Sequence, residues 1–225
     1  MKATNRLNGN WQSLVNKVAD YVPFTASNLI WRLLDGSNKS LLDVGCGPGR
    51  AGGIIKRHRD VFSVGVDVFC PYLKLCRENG THDELIRCDV RRLPFRGKSF
   101  DVVLCKEVVE HLVMQEGDDL IKELEQIARR QIIITTPVGI YEQHEYDKNP
   151  FQEHRSARMP ADLKRYGFTV RGVGIRGLHG EGGFQSRVPK LFRWLLDIIY
   201  VLAGPVAYFF PSLACYMVCN KELKN

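Results

Sequence analysis

The residues that point most directly to chemistry lie in the glycine-rich segment Asp43-Val44-Gly45-Cys46-Gly47-Pro48-Gly49, which follows a short apolar run. Its glycines let the backbone turn tightly and approach a ligand without a Cβ in the way. Asp43 can pair with an ammonium group but would repel a phosphate, and Pro48 lacks the N–H group that an anion site uses. The segment therefore predicts a site for a cationic ligand. A pyrophosphate loop of a dehydrogenase and a strand-to-helix turn without any ligand are the alternatives.

Two further acidic residues end the next apolar runs. Asp67 comes about 20 residues after the glycine-rich segment, where a carboxylate can accept hydrogen bonds from both hydroxyls of a ribose. Taken alone, the same residue also suits the N-cap of a helix. Asp89 lies in Cys88-Asp89-Val90, at the end of the third run. Carboxylates at three successive strand ends predict a ligand that carries a ribose as well as a positive charge.

The order of these motifs resembles the class I S-adenosylmethionine (SAM)-dependent methyltransferases, and within them the methyltransferase-11-like domain. Leu93-Pro94-Phe95 and Ser99-Phe100-Asp101-Val102-Val103 complete that order, so that the resemblance covers roughly residues 40–136. It implies that SAM is the cofactor and that Asp89 meets the adenine amino group. The cofactor-binding residues expected on this basis are Asp43, Gly45, Cys46, Gly47, Gly49, Asp67, Val68, Asp89, Val90 and Lys106.

A second group of candidate residues follows the fourth apolar run, in Lys106-Glu107-Val108-Val109-Glu110-His111-Leu112. If this stretch is helical, Glu107, Glu110 and His111 share one face near the carboxyl edge of the sheet. Two carboxylates and an imidazole can hold a divalent cation that polarises a substrate oxygen. A Glu–His pair at this point can equally serve packing and helix capping without any metal.

This ExxEH pattern resembles the metal-site motif of ubiquinone-pathway O-methyltransferases and of small-RNA 3′-terminal 2′-O-methyltransferases. The latter also take a histidine from beyond the fifth strand, and that resemblance implies His154, with His144 as the other candidate. Glu107, Glu110, His111 and His154 are thus the expected metal ligands. His111, His154 and Lys106 are the expected catalytic residues, and His154 can act as a general base instead of a ligand.

Strands alternate with helices over the residues that carry these motifs. Apolar runs predict strands at Ser40–Val44, Val61–Val66, Leu85–Cys88, Phe100–Cys105 and Gln131–Thr136, with helices at Arg50–Arg59 and about Glu116–Arg129. This alternation predicts an α/β fold with a mostly parallel sheet covered by helices on both faces. The resemblance implies a Rossmann-like sheet of seven strands in a single domain. Ligands bind beyond the carboxyl ends of such strands, where the three aspartates lie.

We expect the single domain to comprise an N-terminal helical cap (1–39), a SAM-binding half (40–136) and a substrate-side half (137–225). The elements predicted in the last part are a helix at Pro160–Tyr166, a strand at Phe168–Val173, an apolar helix at about 189–204 that Gly204-Pro205 interrupts, and a strand at Ala214–Cys219. The apolar run Trp194–Phe210 contains Asp197 and that helix breaker, and it is short for a membrane span of about 20 residues. A transmembrane helix is therefore not expected.

The acceptor is expected to be bound by the N-terminal helix and by the segments after the fourth to sixth strands. Candidates for the substrate side are Tyr21, Lys106, His111, His154 and His179. Arginines beside the apolar helix suit a lipid-linked or anionic substrate at a membrane surface; they are Arg155, Arg158, Arg171, Arg176 and Arg187. More often, such a helix packs on its own sheet.

The composition is that of a globular protein with a formal net charge of +7 over 225 residues. The amino terminus does not resemble a secretory signal, and seven cysteines without CxxC spacing indicate a reducing compartment. We therefore expect a cytoplasmic protein, with peripheral contact at the inner membrane surface. The expected function is SAM-dependent O-methylation of a small-molecule or lipid-linked acceptor. The alternatives are 2′-O-methylation of an RNA end, less favoured because no RNA-binding module is recognisable, and a SAM-binding scaffold without catalysis.

Overall fold

One seven-stranded sheet organises the chain. The computed structural model describes residues 20–141, 143–144, 147–177 and 193–223, with the backbone alone for 193–197. The strands are β1 (Ser40–Val44), β2 (Phe62–Asp67), β3 (Glu84–Arg87), β4 (Phe100–Lys106), β5 (Ala128–Pro137), β6 (Thr169–Ile175) and β7 (Ala214–Glu222). The helices in this part of the chain are α1 (Ala26–Leu33), α2 (Arg50–His58), α3 (Cys70–Asn79), α4 (Met114–Ile127), α5 (Pro160–Arg165) and α6 (Arg193–Phe209). Short 3₁₀ turns lie at Val109–His111, Pro150–Gln152 and Pro211–Leu213.

The strands follow the order β3-β2-β1-β4-β5-β7-β6. All neighbours are parallel except β7, which runs antiparallel to both β5 and β6. This arrangement confirms the predicted Rossmann-like, mostly parallel sheet in a single domain. Each strand predicted before Pro137 is present, and so are the helices predicted at Arg50–Arg59 and about Glu116–Arg129, with ends that agree or shift by a few residues. The structure adds α3 between β2 and β3.

Alternate residues of the central strands supply the core on the two faces of the sheet. Leu42 and Ile134 pack in one apolar cluster with side chains of α4. Leu41 and Ile133, their neighbours along β1 and β5, pack in a second cluster with side chains of α1 and α2. Strands that are buried on both faces consist of continuous runs of apolar residues, which explains why they can be predicted well from the sequence. With both faces covered, the carboxyl edge of the sheet is where a ligand can enter.

The apolar helix differs from its predicted extent because α6 continues through Pro205 to Phe209. A proline inside a helix removes one backbone hydrogen bond. Close packing against β6 offsets this loss, since a Cβ at Gly172 would collide with the carbonyl oxygen of Ala207. The predicted residues 189–192 lie outside the part that the structure describes. Within that part, no helix is long and apolar enough to cross a membrane.

Arg158, expected as a contact for an anionic substrate, is instead a structural residue. Its side chain is 1% exposed and forms an ion pair of 2.8 Å with Asp118 on α4. It also donates a hydrogen bond to the carbonyl oxygen of Met114 at 3.2 Å. The prediction was wrong because spacing does not reveal that the chain after β5 folds back onto α4. This contact fixes the segment that covers the carboxyl edge of the sheet.

Candidate functional site

A cavity of about 630 Å³ opens at the carboxyl ends of β1, β2 and β4. Its volume is within the range of small-molecule sites, roughly 300–1,000 Å³. The predicted residues that line it are Asp43, Gly45, Cys46, Gly47, Asp67, Val68, Asp89, Val90, Lys106, Glu107, Glu110, His111, His154 and Arg155. Both groups of candidate residues therefore meet in one cavity.

The three glycines of the loop have different roles. At Gly45, a Cβ would collide with the Val108 side chain. At Gly49, where φ is +82°, a Cβ would collide with Thr81 and lie 2.9 Å from the sulfur of Cys76. Gly49 is not among the lining residues, so it serves packing. Gly47, with φ at +52°, has no described atom within 4 Å of a Cβ position and leaves open space at the cavity wall.

Asp43 is fully buried and is held by a histidine that the sequence analysis missed. Its Oδ2 lies 3.0 Å from Nε2 of His82, while Nδ1 of His82 lies 2.9 Å from the Thr81 hydroxyl. Burial lowers the pKa of His82, but its contacts with Asp43 and Cys76 outweigh burial and raise that pKa to about 9. His82 is therefore an imidazolium at neutral pH and donates to Asp43. Among the described residues, Oδ1 of Asp43 has no hydrogen-bond partner.

Asp67 and Asp89 form the next part of the wall. The backbone N–H groups of Gly47 and Phe69 donate to Asp67 at 2.9 and 2.8 Å. Burial raises the pKa of Asp67 although both of these hydrogen bonds oppose it. Asp89 binds the guanidinium of Arg91 at 2.6 Å, which lowers the pKa of Asp89. Both carboxylates keep oxygen lone pairs that can accept hydrogen bonds from a ligand.

The helical face predicted for Glu107, Glu110 and His111 is wrong. Glu107 has a φ of +55°, and its backbone N–H donates to Thr135 on β5 at 2.9 Å. This backbone bond to the sheet keeps Glu107 out of a helix, and only Val109–His111 forms a 3₁₀ turn. The Glu107 side chain instead pairs with Lys106 at 2.6 Å. Glu107 lines the cavity but does not join the other predicted ligands.

Glu110, His111 and His154 form a cluster in which one ligand atom of each lies within 4.8 Å of the others. Glu110 is buried, and the Thr136 hydroxyl donates to its Oε2 at 3.0 Å. Burial raises the pKa of Glu110 to about 8 and lowers the pKa of His111. At neutral pH the cluster thus combines a protonated carboxyl group with a neutral imidazole.

Backbone carbonyl groups orient both imidazoles of this cluster. Nδ1 of His111 lies 3.1 Å from the carbonyl oxygen of Glu153, and Nδ1 of His154 lies 2.6 Å from that of Tyr141. A carbonyl oxygen only accepts, so Nδ1 carries a hydrogen in each ring, which leaves Nε2 as the nitrogen that binds or releases a proton. The two Nε2 atoms are available to a proton or a metal ion, an arrangement typical of histidine ligands.

The chain from residue 147 to residue 156 covers the cavity through two anchors. At one end, the Tyr72 hydroxyl on α3 donates to Asp147 at 3.1 Å. At the other, the backbone N–H groups of Arg155 and Ser156 donate to the carbonyl oxygen of Glu110 at 2.8 and 3.1 Å. These contacts bring His154 beside His111. The sequence analysis missed Tyr72 and Asp147, because no local spacing connects positions so far apart in the chain.

Of three other candidates, Tyr21 for the substrate side and His144 for the metal do not line this cavity, and the third, His179, lies outside the part of the chain that the structure describes. Tyr21 is 64% exposed, contacts the rings of Trp31 and His58, and does not line the cavity. His144 is exposed and is likewise absent from the cavity wall.

Comparison with known proteins identifies related sequences for the first half of the sheet. Residues 42–134 match the family described as a methyltransferase domain. "Probable tRNA methyltransferase 9B" of Bos taurus is 29% identical over 89 residues, which make up 40% of this chain and 18% of that protein. The protein of the same name from Mus musculus is 31% identical over 87 residues, 39% of this chain and 18% of its own length. The match thus spans less than a fifth of these relatives.

Solved structures are similar over almost the whole chain. A chain from the complex of the Haloferax volcanii Trm112 methyltransferase activator with a methyltransferase has a TM-score of 0.60 at 15% identity, with 96% of both chains covered. A SAM-dependent methyltransferase from Archaeoglobus fulgidus has a TM-score of 0.57 at 18% identity, with 94% of both chains covered. At these identities the likeness shows a common fold.

Proposed function

We propose that the chain transfers a methyl group from SAM to an oxygen of a small-molecule or lipid-linked acceptor, because residues 42–134 match a methyltransferase domain and the chain shares its fold with solved methyltransferases. The observation that carries the proposal is a single cavity whose wall includes Asp43, Asp67 and Asp89 as well as the Glu110–His111–His154 cluster. Methylation of a hydroxyl group requires a cofactor site and a proton acceptor side by side.

The wall of the cavity fits SAM in three respects. The free Oδ1 of Asp43 is a buried acceptor suited to the ammonium group of the methionine part. The open space at Gly47 admits a ligand close to the backbone. Asp67 lies at the end of β2, where a carboxylate can accept from ribose hydroxyls. Asp89, already paired with Arg91, is the candidate partner for the adenine amino group.

The histidines supply the proton chemistry of the proposed reaction. SAM, when bound, provides a methyl group on a sulfonium that is open to in-line attack. The lowered pKa of His111 keeps its Nε2 unprotonated at neutral pH, so that Nε2 can take the proton of an acceptor hydroxyl as the new carbon–oxygen bond forms. His154, held in the same tautomer, is the alternative base. Lys106, paired with Glu107, also lines the cavity.

The same cluster also supports a divalent cation, with a smaller ligand set than the sequence predicts. Two Nε2 lone pairs and the Glu110 carboxylate suit a metal such as Zn²⁺, whereas Mg²⁺ prefers oxygen ligands. Glu107 is excluded from this set because its side chain pairs with Lys106. Since the pKa of Glu110 is about 8, the cation has to displace a proton, and its affinity should rise with pH up to that value.

The surface of α6 supports a lipid-linked acceptor. Several of its apolar side chains are exposed, and Leu202 (74%) and Phe209 (64%) are the most exposed among them. Exposed aliphatic and aromatic side chains on one helix can insert into the headgroup region of a membrane. Vesicle flotation of the wild type and of L202E tests this part, with retention of the wild type on anionic vesicles and release of the variant as the expected result.

Two observations favour RNA as a second candidate acceptor. The two relatives compared above carry the name "Probable tRNA methyltransferase 9B", and the net charge of +7 attracts polyanions. Binding to single-stranded RNA would then weaken steeply with salt, because phosphate contacts release counterions. If the acceptor is a small molecule or is linked to a lipid, we expect no such dependence of binding on the salt concentration.

Calorimetry with SAM, followed by methyl-transfer assays with labelled SAM over these acceptor classes, tests the proposal. The assays are run with and without Mg²⁺ or Zn²⁺. H111N should lose most turnover while it retains SAM affinity, whereas the matched control H144N, outside the cavity, should behave as the wild type. SAM binding without turnover on any acceptor would indicate a scaffold. Undetectable SAM binding by the folded protein would exclude the proposed cofactor.

A further inference from the structure

Two cysteines lie in contact beneath the glycine-rich loop. The sulfur of Cys46, in the loop itself, is 4.0 Å from the sulfur of Cys76 on α3. Cys46 lines the cavity, whereas Cys76 is fully buried behind it. The Cys76 sulfur also lies 3.2 Å from the carbonyl oxygen of Gly47. Both thiols are free in the structure, so their contact couples the loop to α3.

A cation beside this pair favours the reactive form of one thiol. A ligand atom of His82 lies within 4.8 Å of both sulfurs. The Cys46 thiol and the His82 imidazolium both stabilise a thiolate on Cys76, and together they lower the pKa of Cys76 to about 5 against the opposing effect of burial. A thiolate is the form of cysteine that reacts with peroxides and with oxidised sulfur.

We propose that Cys46 and Cys76 are an oxidation site at which a peroxide converts the two thiols into a disulfide that distorts the cofactor loop. The cross-link depends only on the two sulfurs and their surroundings. Its effect on SAM binding rests on the function proposed above. The two parts are therefore measured separately.

The reaction balances with hydrogen peroxide as the oxidant. The Cys76 thiolate attacks one peroxide oxygen, so that a sulfur–oxygen bond forms, the oxygen–oxygen bond breaks and hydroxide leaves. The Cys46 thiol next attacks the sulfenic acid on Cys76, so that the sulfur–sulfur bond forms and the oxygen leaves as water with the Cys46 thiol proton. The two sulfurs lose two electrons in total, and the peroxide gains them.

The cross-link requires the loop to move. A disulfide bond is about 2.05 Å long, so the two sulfurs must approach each other by about 2 Å. The packing at Gly49 leaves little room for Cys76 to shift, since even a Cβ there would be 2.9 Å from its sulfur. The loop around Cys46 and Gly47 therefore has to move. This movement affects the hydrogen bond from the Gly47 N–H to Asp67. We expect SAM to bind about tenfold or more weakly to the oxidised protein.

The experiment uses the full chain treated with hydrogen peroxide and then with an alkylating reagent. Proteolysis without reductant should yield the peptides of Cys46 and Cys76 joined, with a mass lower by two hydrogens than the sum of the two thiol peptides. C76A should not form this product. The matched control C70A removes an exposed cysteine of the same helix and should form it as the wild type does.

SAM calorimetry before oxidation, after oxidation and after reduction with dithiothreitol measures the consequence. The expected result is weaker binding that the reductant restores, together with protection of Cys46 when SAM is present during oxidation. Alkylation of both thiols after peroxide treatment would overturn the proposal, and so would a cross-linked protein with unchanged SAM affinity. If the reduced protein binds no SAM, the proposed cofactor fails, while the peptide mapping still decides whether the cross-link forms.

Discussion

Thr136 on β5 donates a hydrogen bond of 3.0 Å to Glu110, whose side chain is buried at the inner end of the cavity. Burial raises the pKa of Glu110 to about 8, whereas an unfolded glutamate titrates near 4.3. Between these values the folded chain holds a proton that the unfolded chain has released. The stabilisation linked to this proton is fully present below the unfolded pKa and is lost as the pH rises towards 8.

Replacement of Glu110 by glutamine should remove this pH dependence. The amide oxygen can still accept from Thr136, but it does not titrate. From about pH 5 to pH 8, the free energy of unfolding of the wild type should fall by a few kcal/mol more than that of E110Q. Urea denaturation at several pH values measures the difference. E78Q, at an exposed glutamate, should follow the wild type, and a parallel decline in E110Q would contradict the assignment.

Asp43→Asn should weaken SAM binding by removing the carboxylate that faces the ammonium group. A hydrogen bond to a charged group contributes about 1.5–3 kcal/mol, which corresponds to a loss of affinity of about tenfold to a hundredfold. Calorimetry with 5′-methylthioadenosine, which lacks the methionine amine, serves as the ligand control and should give equal affinities for D43N and wild type. D60N, at an exposed aspartate, is the protein control. An equal loss for both ligands would indicate a general distortion of the loop.

The position of the three aspartates was predictable because parallel strands end at one edge of the sheet. Asp43, Asp67 and Asp89 each end or follow a strand that the apolar pattern reveals, and the strand order then places them in one wall. The glycine-rich loop is similarly local, since its conformation depends on a few consecutive residues. The roles of Gly47 and Gly49 could not be separated in advance, because the atoms around them come from other segments.

The partners of these residues were not predictable from spacing. His82 meets Asp43 across 39 positions, and Tyr72 meets Asp147 across 75. The helix predicted through Glu107 failed for the same reason, since its backbone N–H bonds to Thr135 on a neighbouring strand. Such contacts arise from tertiary structure, which overrides local preferences. Residues that belong to a sequence motif are therefore easier to predict from the sequence than the residues that orient them through tertiary contacts.

Tyr72→Phe should loosen the chain segment that covers the cavity. Loss of the hydroxyl removes the bond to Asp147, and a neutral hydrogen bond contributes about 1 kcal/mol, or about fivefold in an opening equilibrium. Hydrogen exchange of the peptide that spans residues 147–156 should accelerate by about that factor. Asp147 has a φ of +54°, so D147G is the matched partner variant, because glycine tolerates this conformation and has no side chain to accept the bond.

A double-variant cycle tests whether this bond is the cause. Y72F and D147G should each accelerate exchange, and the double variant should add little to the effect of D147G, because both remove the same interaction. Y21F alters a tyrosine outside the cavity and should leave this peptide unchanged. Additive effects of Y72F and D147G would mean that the two residues act independently on the segment.

Arg158→Met should destabilise the fold through the buried pair with Asp118. Loss of one partner of a buried ion pair costs about 3–5 kcal/mol when the other charge remains buried. Because the Asp118 side chain is 26% exposed, we expect a loss at the lower end of that range, about 3 kcal/mol, in urea denaturation. R165M removes an arginine whose side chain is 80% exposed and should change stability by less than about 0.5 kcal/mol.

The double variant R158M/D118L distinguishes the pair from the packing of the arginine stem. Among the described residues, Nε of Arg158 has no hydrogen-bond partner, so the buried guanidinium carries an uncompensated desolvation cost. An apolar pair of similar volume removes that cost, and buried ion pairs replaced in this way are often neutral in stability. R158M/D118L should therefore recover most of the stability that R158M loses. Equal stabilities of the single and double variants would assign the loss to packing alone.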